Sequence, residues 1–385
     1  MHMRHDLMTT IFVRLGPCPW LAALVLLTAC ASPPEAGPVV TTPAEIFAQK
    51  VRQHRVCGAG MAFVRDRQLE SVTTASGCDP AQQVRPDSVF QAASLSKPVF
   101  AYAVLKLVQQ GRLALDAPVL QYLPQGYRHA FDPLHPGQAD TSDEVSDPQL
   151  AAVTVRMLLQ HTAGLPNWAS GPLRFESKPG ERWAYSGEGY VLLQRAVEEV
   201  MRRPLDEFMQ EQVFEPLGMG RSSYRWTPQI GELLMPGTKA NGAPRTLVPL
   251  RHPVAAFSLY TTADDYARFV VALLRDPGTL ATIADSSVDV DSRLNLGWGL
   301  GWGLERSAEG VHLWQWGNNP GYRAFVLVVP GSGDGLILLT SSDAGLKLVE
   351  PLLQAALPAE HKVLRSPFLS SGVLDALCEI LRVCL

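Results

Sequence analysis

From Ser94 onward the chain places apolar residues at Leu95, Val99, Phe100, Ala103, Val104, Leu107 and Val108, the spacing of one face of a helix. Gly111 follows where a helix end favours a residue that can turn left-handed. Pro98 falls in the first turn, where its missing N–H breaks no helical bond. The pattern predicts a helix that opens at Ser94 and carries Lys97 one turn on, on the same face. Upstream, residues 46–56 read as a first helix and 57–77 as a strand, a polar turn and a returning strand. Between about 112 and 250 the helical patterns are short, as in TVRMLLQHT and GYVLLQRAVEEVMRR, and Pro and Gly are frequent. Strand patterns return in WGLGWGLE, YRAFVLVVP and GLILLTSSD, and LKLVEPLLQAAL reads as a closing helix despite Pro351. Strands at both ends with helices between predict an α+β fold: one antiparallel sheet built from both chain ends, flanked by helices, with an inserted mainly helical region at about 112–250. A last amphipathic helix is expected over 366–385, with Val373, Leu374, Leu377, Ile380 and Leu381 opposite Asp375, Glu379 and Arg382. It would pack on its own domain or a second copy, or lie on a membrane.

Composition sharpens the picture. Of 385 residues, 46% are hydrophobic and 18% charged, enough for a sizeable core. The net charge of -4, with no basic run, excludes nucleic acid as an expected partner. At the N-terminus, Arg4 and Arg14 precede an apolar stretch from Trp20 to Ala29 that is too short to span a bilayer. Residues 1–29 therefore read as an export signal. Leu27-Thr28-Ala29-Cys30 resembles a bacterial lipobox, which implies Cys30 as the lipidated first residue of the mature protein, with an ordinary signal peptide cleaved near there as the alternative. A Pro-rich tether over 30–44 would hold a domain of residues 45–365 off the membrane surface. The expected location is the periplasmic face of the bacterial cell envelope. In that oxidising setting Cys57 and Cys78, at the two ends of the hairpin, are the expected disulfide pair. Cys378 and Cys384, about 9 Å apart along a helix, are expected to pack as apolar residues.

Candidate chemistry begins with SLSK at 94–97. A serine hydroxyl needs a base within hydrogen-bond reach, and a lysine can serve if its pKa is lowered by burial or charge. A serine that caps a helix beside a snorkelling lysine is the plain alternative. Five further stretches decide between them: LLQHTAGLP at 158–166, PGERWAYSGEGYVLLQRAVEEV at 179–200, VFEPLGMGRSS at 213–223, FSLYTTADDYARFV at 257–270 and QWGNNPGYRAF at 315–325. With SLSK they resemble, in order, the serine hydrolases of the penicillin-recognising superfamily, which includes class C β-lactamases, DD-peptidases and related esterases.

The resemblance implies that Ser94 attacks an ester or amide carbonyl and forms an acyl-enzyme, while Lys97 helps take its proton. It implies that Tyr185 shares proton transfer with Lys97, and which of the two is the main base stays open. Gly317 would leave room for a substrate along its strand, and the N–H groups of Asn318 and Ser94 would form an oxyanion hole. Trp316 is expected to pack in the core, with an acyl pocket as the alternative. His161 would support the site, and Arg323 is expected at the surface. Two positions depart from the family pattern. Gly187 stands where an asparagine commonly contacts substrate, and Gln315 where a Lys or His commonly stands. Both weaken the case for a penicillin or a D-Ala-D-Ala peptide as natural substrate, because Gln315 offers hydrogen bonds but no cation.

No G-x-S-x-G, H-E-x-x-H, C-x-x-C or Walker sequence occurs, so no metal or cofactor is expected. The expected partners are a small-molecule or peptide ester or amide and, through the lipid anchor, a membrane. A β-lactamase or D-amino-acid peptidase is the alternative enzyme. A catalytically silent protein that binds cell wall or a partner is the alternative of another class.

Overall fold

The computed structural model describes residues 42–78, 83–136 and 141–369. Helix α1, Pro43–Gln53, starts three residues before its apolar pattern. Thr42 and Glu45 form a capping box there, each side chain bonding the other's backbone N–H, and Pro43 fills the first position. Strands β1, Ala59–Arg65, and β2, Gln68–Ala75, form the expected hairpin. Its two turn residues, Asp66 and Arg67, both have positive φ, the backbone that matches the twist of a tight hairpin. Cys57 and Cys78 are joined as a disulfide across the hairpin base, with their Cα atoms 4.7 Å apart.

Helix α2, Ser96–Gln109, opens two residues later than its pattern suggests, because residues 93–95 form a separate 3-10 turn. Gly111 ends it with φ 70°, as expected. Helix α3, Gly187–Met201, is the long element of the middle region; other helices there, such as Val155–Gln160, are short. The middle region also holds a two-stranded ribbon, Arg128–Ala130 with Ser142–Glu144, which the sequence pattern did not reveal. Helix α4, Ala263–Leu274, follows. The chain then lays down β3, Val288–Asp291, β4, Leu296–Trp298, β5, Gly303–Ser307, β6, Gly310–Asn319, β7, Tyr322–Val329, and β8, Asp334–Thr340. Helix α5, Val349–Ala356, packs back onto the sheet, and Pro351 sits in its first turn.

The eight strands form one antiparallel sheet in the order β2-β1-β8-β7-β6-β5-β4-β3. Strands from the two ends of the sequence meet one strand in from the β2 edge, where Ala59 pairs with Thr340. Alternate residues feed two cores, as strand geometry requires. Met61, Phe63, Phe325, Leu336 and Leu338 pack with α1 and α5, while Ala62, Val64, Val326, Ile337 and Leu339 pack with α2 and α4. The signal segment, the tether, Cys30, Cys378, Cys384 and the final amphipathic helix lie outside the described residues, apart from the tether's last residues and 366–369. The latter form a turn.

Candidate active site

The 3-10 turn before α2 holds Ser94 in a strained setting. Ala93 has φ 49°, a left-handed conformation that an L-residue adopts at some cost. Its surroundings over-determine it. The Tyr266 hydroxyl donates to Leu95 O at 3.0 Å, the Tyr224 hydroxyl to Ser96 O at 2.6 Å, and Ser96 Oγ to Ala93 O at 2.6 Å. Ala92 N also donates to Leu259 O at 2.8 Å.

Lys97 follows in the first turn of α2 and is 1% exposed. Its Nζ donates to Ser94 Oγ at 3.3 Å and to Ala256 O at 2.9 Å. It also stands 4.6 Å from the ring centre of Tyr185 and 5.5 Å from that of Tyr190. Burial disfavours its charged form and lowers its pKa to about 7. The amine is therefore poised to exchange a proton near neutrality.

Tyr185 lies just before α3. Burial pushes its phenol well above the ordinary value, against hydrogen bonds with Ser94 and Gln315 that lower it. It is consequently neutral at pH 7. Gln315, on β6 and 0% exposed, donates Nε2 to the Tyr185 hydroxyl at 3.2 Å and to Ser94 O at 3.1 Å. Its Oε1 has no partner among the described residues. Position 315 thus bridges Ser94 and Tyr185 without adding charge.

Gly317 is fixed by close approach: a Cβ there would lie 2.5 Å from Ala92 O and 3.1 Å from Ala93 Cβ. The strand therefore runs against the turn that carries Ser94 and brings the backbone of Asn318 beside it, while the Asn318 side chain is exposed. Trp316 points to the other face, half-buried. It stacks on Phe368 at 4.8 Å and meets Tyr185 at 5.2 Å between ring centres. Both expectations for it were partial, since it is core on one side and wall of the site on the other.

His161, for which a supporting role was expected, lies beside Tyr185. It ends the helix Val155–Gln160 in a left-handed conformation, and its Nδ1 accepts the Ser186 N–H at 3.1 Å. Its ring lies 4.3 Å from that of Tyr185. Burial, reinforced by Lys97, holds its pKa well below the usual imidazole value, so it is a neutral positioning group.

Gly187 opens α3 where an asparagine was expected from the resemblance. A Cβ here would meet the Trp168 ring at 2.5 Å and Asn167 O at 2.9 Å. Asn167 accepts the Gly187 N–H through both Oδ1 and its backbone O, each at 3.0 Å. Trp168 packs edge-on against Phe257, the residue after Ala256. The proximity of Trp168 to Gly187 was not visible in the sequence.

Arg323 is a correction. It is 5% exposed, and its Nη1 donates to Asp343 Oδ1 at 2.9 Å and to Asn319 O at 2.9 Å. Arg323 pairs with Thr340 across the sheet, which places it by the buried loop after β8 rather than at the surface.

A serine held after a strained alanine, a buried lysine at its oxygen and an uncharged tyrosine, set between a helix start and a sheet strand, define a serine acyl-hydrolase scaffold. Residues 44–359 match the Beta-lactamase family, and the chain belongs to it. It is 27% identical over 321 residues to Esterase EstB of Burkholderia gladioli, covering 67% of this chain and 77% of that one. It is also 27% identical over 355 residues to Penicillin-binding protein 4 of Amycolatopsis lactamdurans, covering 79% and 86% of the two chains. A solved Beta-Lactamase/D-Alanine Carboxypeptidase from Pseudomonas syringae has the same fold, with TM-score 0.66 at 19% identity over 82% of this chain and 98% of that chain. The protein is a serine hydrolase that cleaves an ester or amide through an acyl-enzyme.

Proposed function

We propose that Ser94 is the nucleophile, Lys97 the general base and Tyr185 the proton donor of an esterase that prefers uncharged substrates. The observation that carries this is the Lys97 amine 3.3 Å from Ser94 Oγ with its pKa lowered to about 7. A base must be unprotonated to accept, and at neutral pH this amine is, in substantial fraction, while the phenol of Tyr185 is protonated. As Oγ bonds the carbonyl carbon, its proton passes to Nζ. Negative charge collects on the carbonyl oxygen, facing the N–H groups of Ser94 and Asn318. Tyr185 hands its hydroxyl proton to the leaving alkoxide as the C–O bond breaks and is reprotonated from Lys97. Water then attacks the acyl-enzyme by the same route in reverse, restoring Ser94.

Gln315 supports the preference for uncharged substrates, because it offers an amide where a cation would hold a substrate carboxylate. Trp168, Phe257, Trp316 and Phe368 add aromatic surface around the site, suited to an apolar acyl or alcohol group. The second reading, a lactam- or peptide-directed enzyme, draws on the similarity to Penicillin-binding protein 4. The test compares hydrolysis of a chromogenic short-chain ester and a chromogenic cephalosporin by wild type and Ser94→Ala. Ester turnover lost in the variant with the cephalosporin spared supports the esterase; Ser94-dependent cephalosporin turnover favours the second reading. No Ser94-dependent turnover, and no labelling of Ser94 by an acylating reagent, would leave a binding protein.

The same reading places the enzyme at the bacterial envelope as a lipoprotein. The sequence Leu27-Thr28-Ala29-Cys30 supports this, as does the Cys57–Cys78 disulfide, which persists in oxidising compartments. Detergent-phase partitioning and a lipidated N-terminal peptide, both lost in Cys30→Ala, are the expected results. A wild-type protein found wholly in the aqueous phase would overturn the placement.

A further inference from the structure

We propose that Glu305, His312 and His361 form a divalent-cation site of the zinc class that pins the C-terminal segment to the β5–β6 hairpin. The three side chains are 0%, 1% and 4% exposed, and one ligand atom from each lies within 4.8 Å of the other two. Glu305 on β5 and His312 on β6 stand directly opposite in the ladder, so their side chains share a face. His361 comes from the segment that follows α5.

The hydrogen bonds prepare this cluster for a cation. His361 Nε2 bonds Leu357 O at 2.8 Å, which requires the proton on Nε2 and leaves Nδ1 with a bare lone pair. That Nδ1 has no partner among the described residues, and neither has His312 Nδ1. Glu305 accepts the Lys362 N–H at 2.7 Å and the Val363 N–H at 3.1 Å, which orients its carboxylate and leaves lone pairs free. Buried nitrogens without partners are costly, and one cation satisfies both while neutralising the buried carboxylate. The donor set selects its class: two imidazoles and one carboxylate suit Zn²⁺ or Co²⁺, whereas Mg²⁺ and Ca²⁺ favour oxygen ligands. Around zinc the ligand atoms would draw to roughly 3.3 Å from one another, within reach of small side-chain rotations.

The site's place in the fold gives it a use. Two residues past Glu305's contact at Val363 comes Arg365, and Phe368 then stacks on Trp316, whose ring meets Tyr185. A cation here would anchor the strap that backs the aromatic wall of the active site.

The test is to strip the full-length protein with a chelator, remove the chelator, and titrate Zn²⁺ and Co²⁺ alone. Expected are one tightly bound ion per chain, a visible Co²⁺ absorption of tetrahedral type, and a melting temperature raised by several °C on loading. His312→Gln and His361→Gln should each lose the ion and the rise. Acylation of Ser94 in the variants would establish that they are folded. Wild type that binds neither ion, or folded variants that bind as wild type does, would overturn the site.

Discussion

Lys97 Nζ lies 3.3 Å from Ser94 Oγ, and burial is what brings its pKa to about 7. Rate and stability should therefore respond to the same titration in a definite sense. With the neutral amine as the proposed base, kcat/KM should rise with pH through a single step near 7. Lys97→Met should lower kcat by about 10²–10⁴-fold. A profile flat from pH 5 to 9 would remove Lys97 as the base.

Stability shifts in the same direction, over a higher pH window. In the unfolded chain the amine holds its proton up to the ordinary value of 10.5, whereas in the folded protein it releases it near 7. Between these values the unfolded state binds more protons, so this residue's contribution makes stability rise with pH across that window. Its destabilising effect is complete below pH 7. Lys97→Met should therefore raise the melting temperature most in acid and least near pH 10, as scanning calorimetry across that range can show.

Gln315→Lys would place a cation beside the Tyr185 hydroxyl and close to Lys97. Like charge lowers an amine pKa further, so the step in the rate profile should move to lower pH. Carboxylate-bearing lactams should gain in kcat/KM relative to neutral esters by about tenfold, near the 1.4 kcal/mol of one charge-assisted bond. Unaltered selectivity in a folded variant would show that position 315 does not read substrate charge.

Restoring an asparagine at position 187 should not restore a contact. The Cβ would sit 2.5 Å from the Trp168 ring, so Gly187→Asn must displace Trp168 from Phe257. Expected are a loss of stability of about 1–3 kcal/mol, as for overpacking, and weaker ester hydrolysis. Gained lactam turnover at unchanged stability would contradict this.

Removing the crosslink by Cys57→Ala with Cys78→Ala should cost about 3 kcal/mol, from the loop entropy returned to the unfolded chain. Urea unfolding of both forms measures it, and an unchanged midpoint would show that the hairpin holds without the bond.

What the sequence revealed follows from distance along the chain. Ser94 and Lys97 were legible because a helical turn fixes their separation, and Gly111 and the Cys57–Cys78 hairpin because local turn chemistry does. Arg323 was misplaced because strand register is decided by the partner strand, here Thr340, which no local pattern announces. The bridge from Gln315 to Tyr185, the approach of Trp168 to Gly187 and the meeting of Glu305, His312 and His361 are all contacts between distant segments. The strain at Ala93 was invisible because alanine carries no signal of a left-handed backbone.

The pairing of Ala59 with Thr340 has a consequence for how the enzyme comes into being. The strand that opens the sheet must wait for the strand that closes it, since β1 finds its second neighbour only at the far end of the chain. Ser94 and Gln315 are likewise supplied from opposite sides of that wait. A nascent chain thus carries Ser94, the proposed nucleophile, long before the strand that supplies Gln315 exists. Hydrolysis should therefore await the last strands, and a chain cut short before them should be inert.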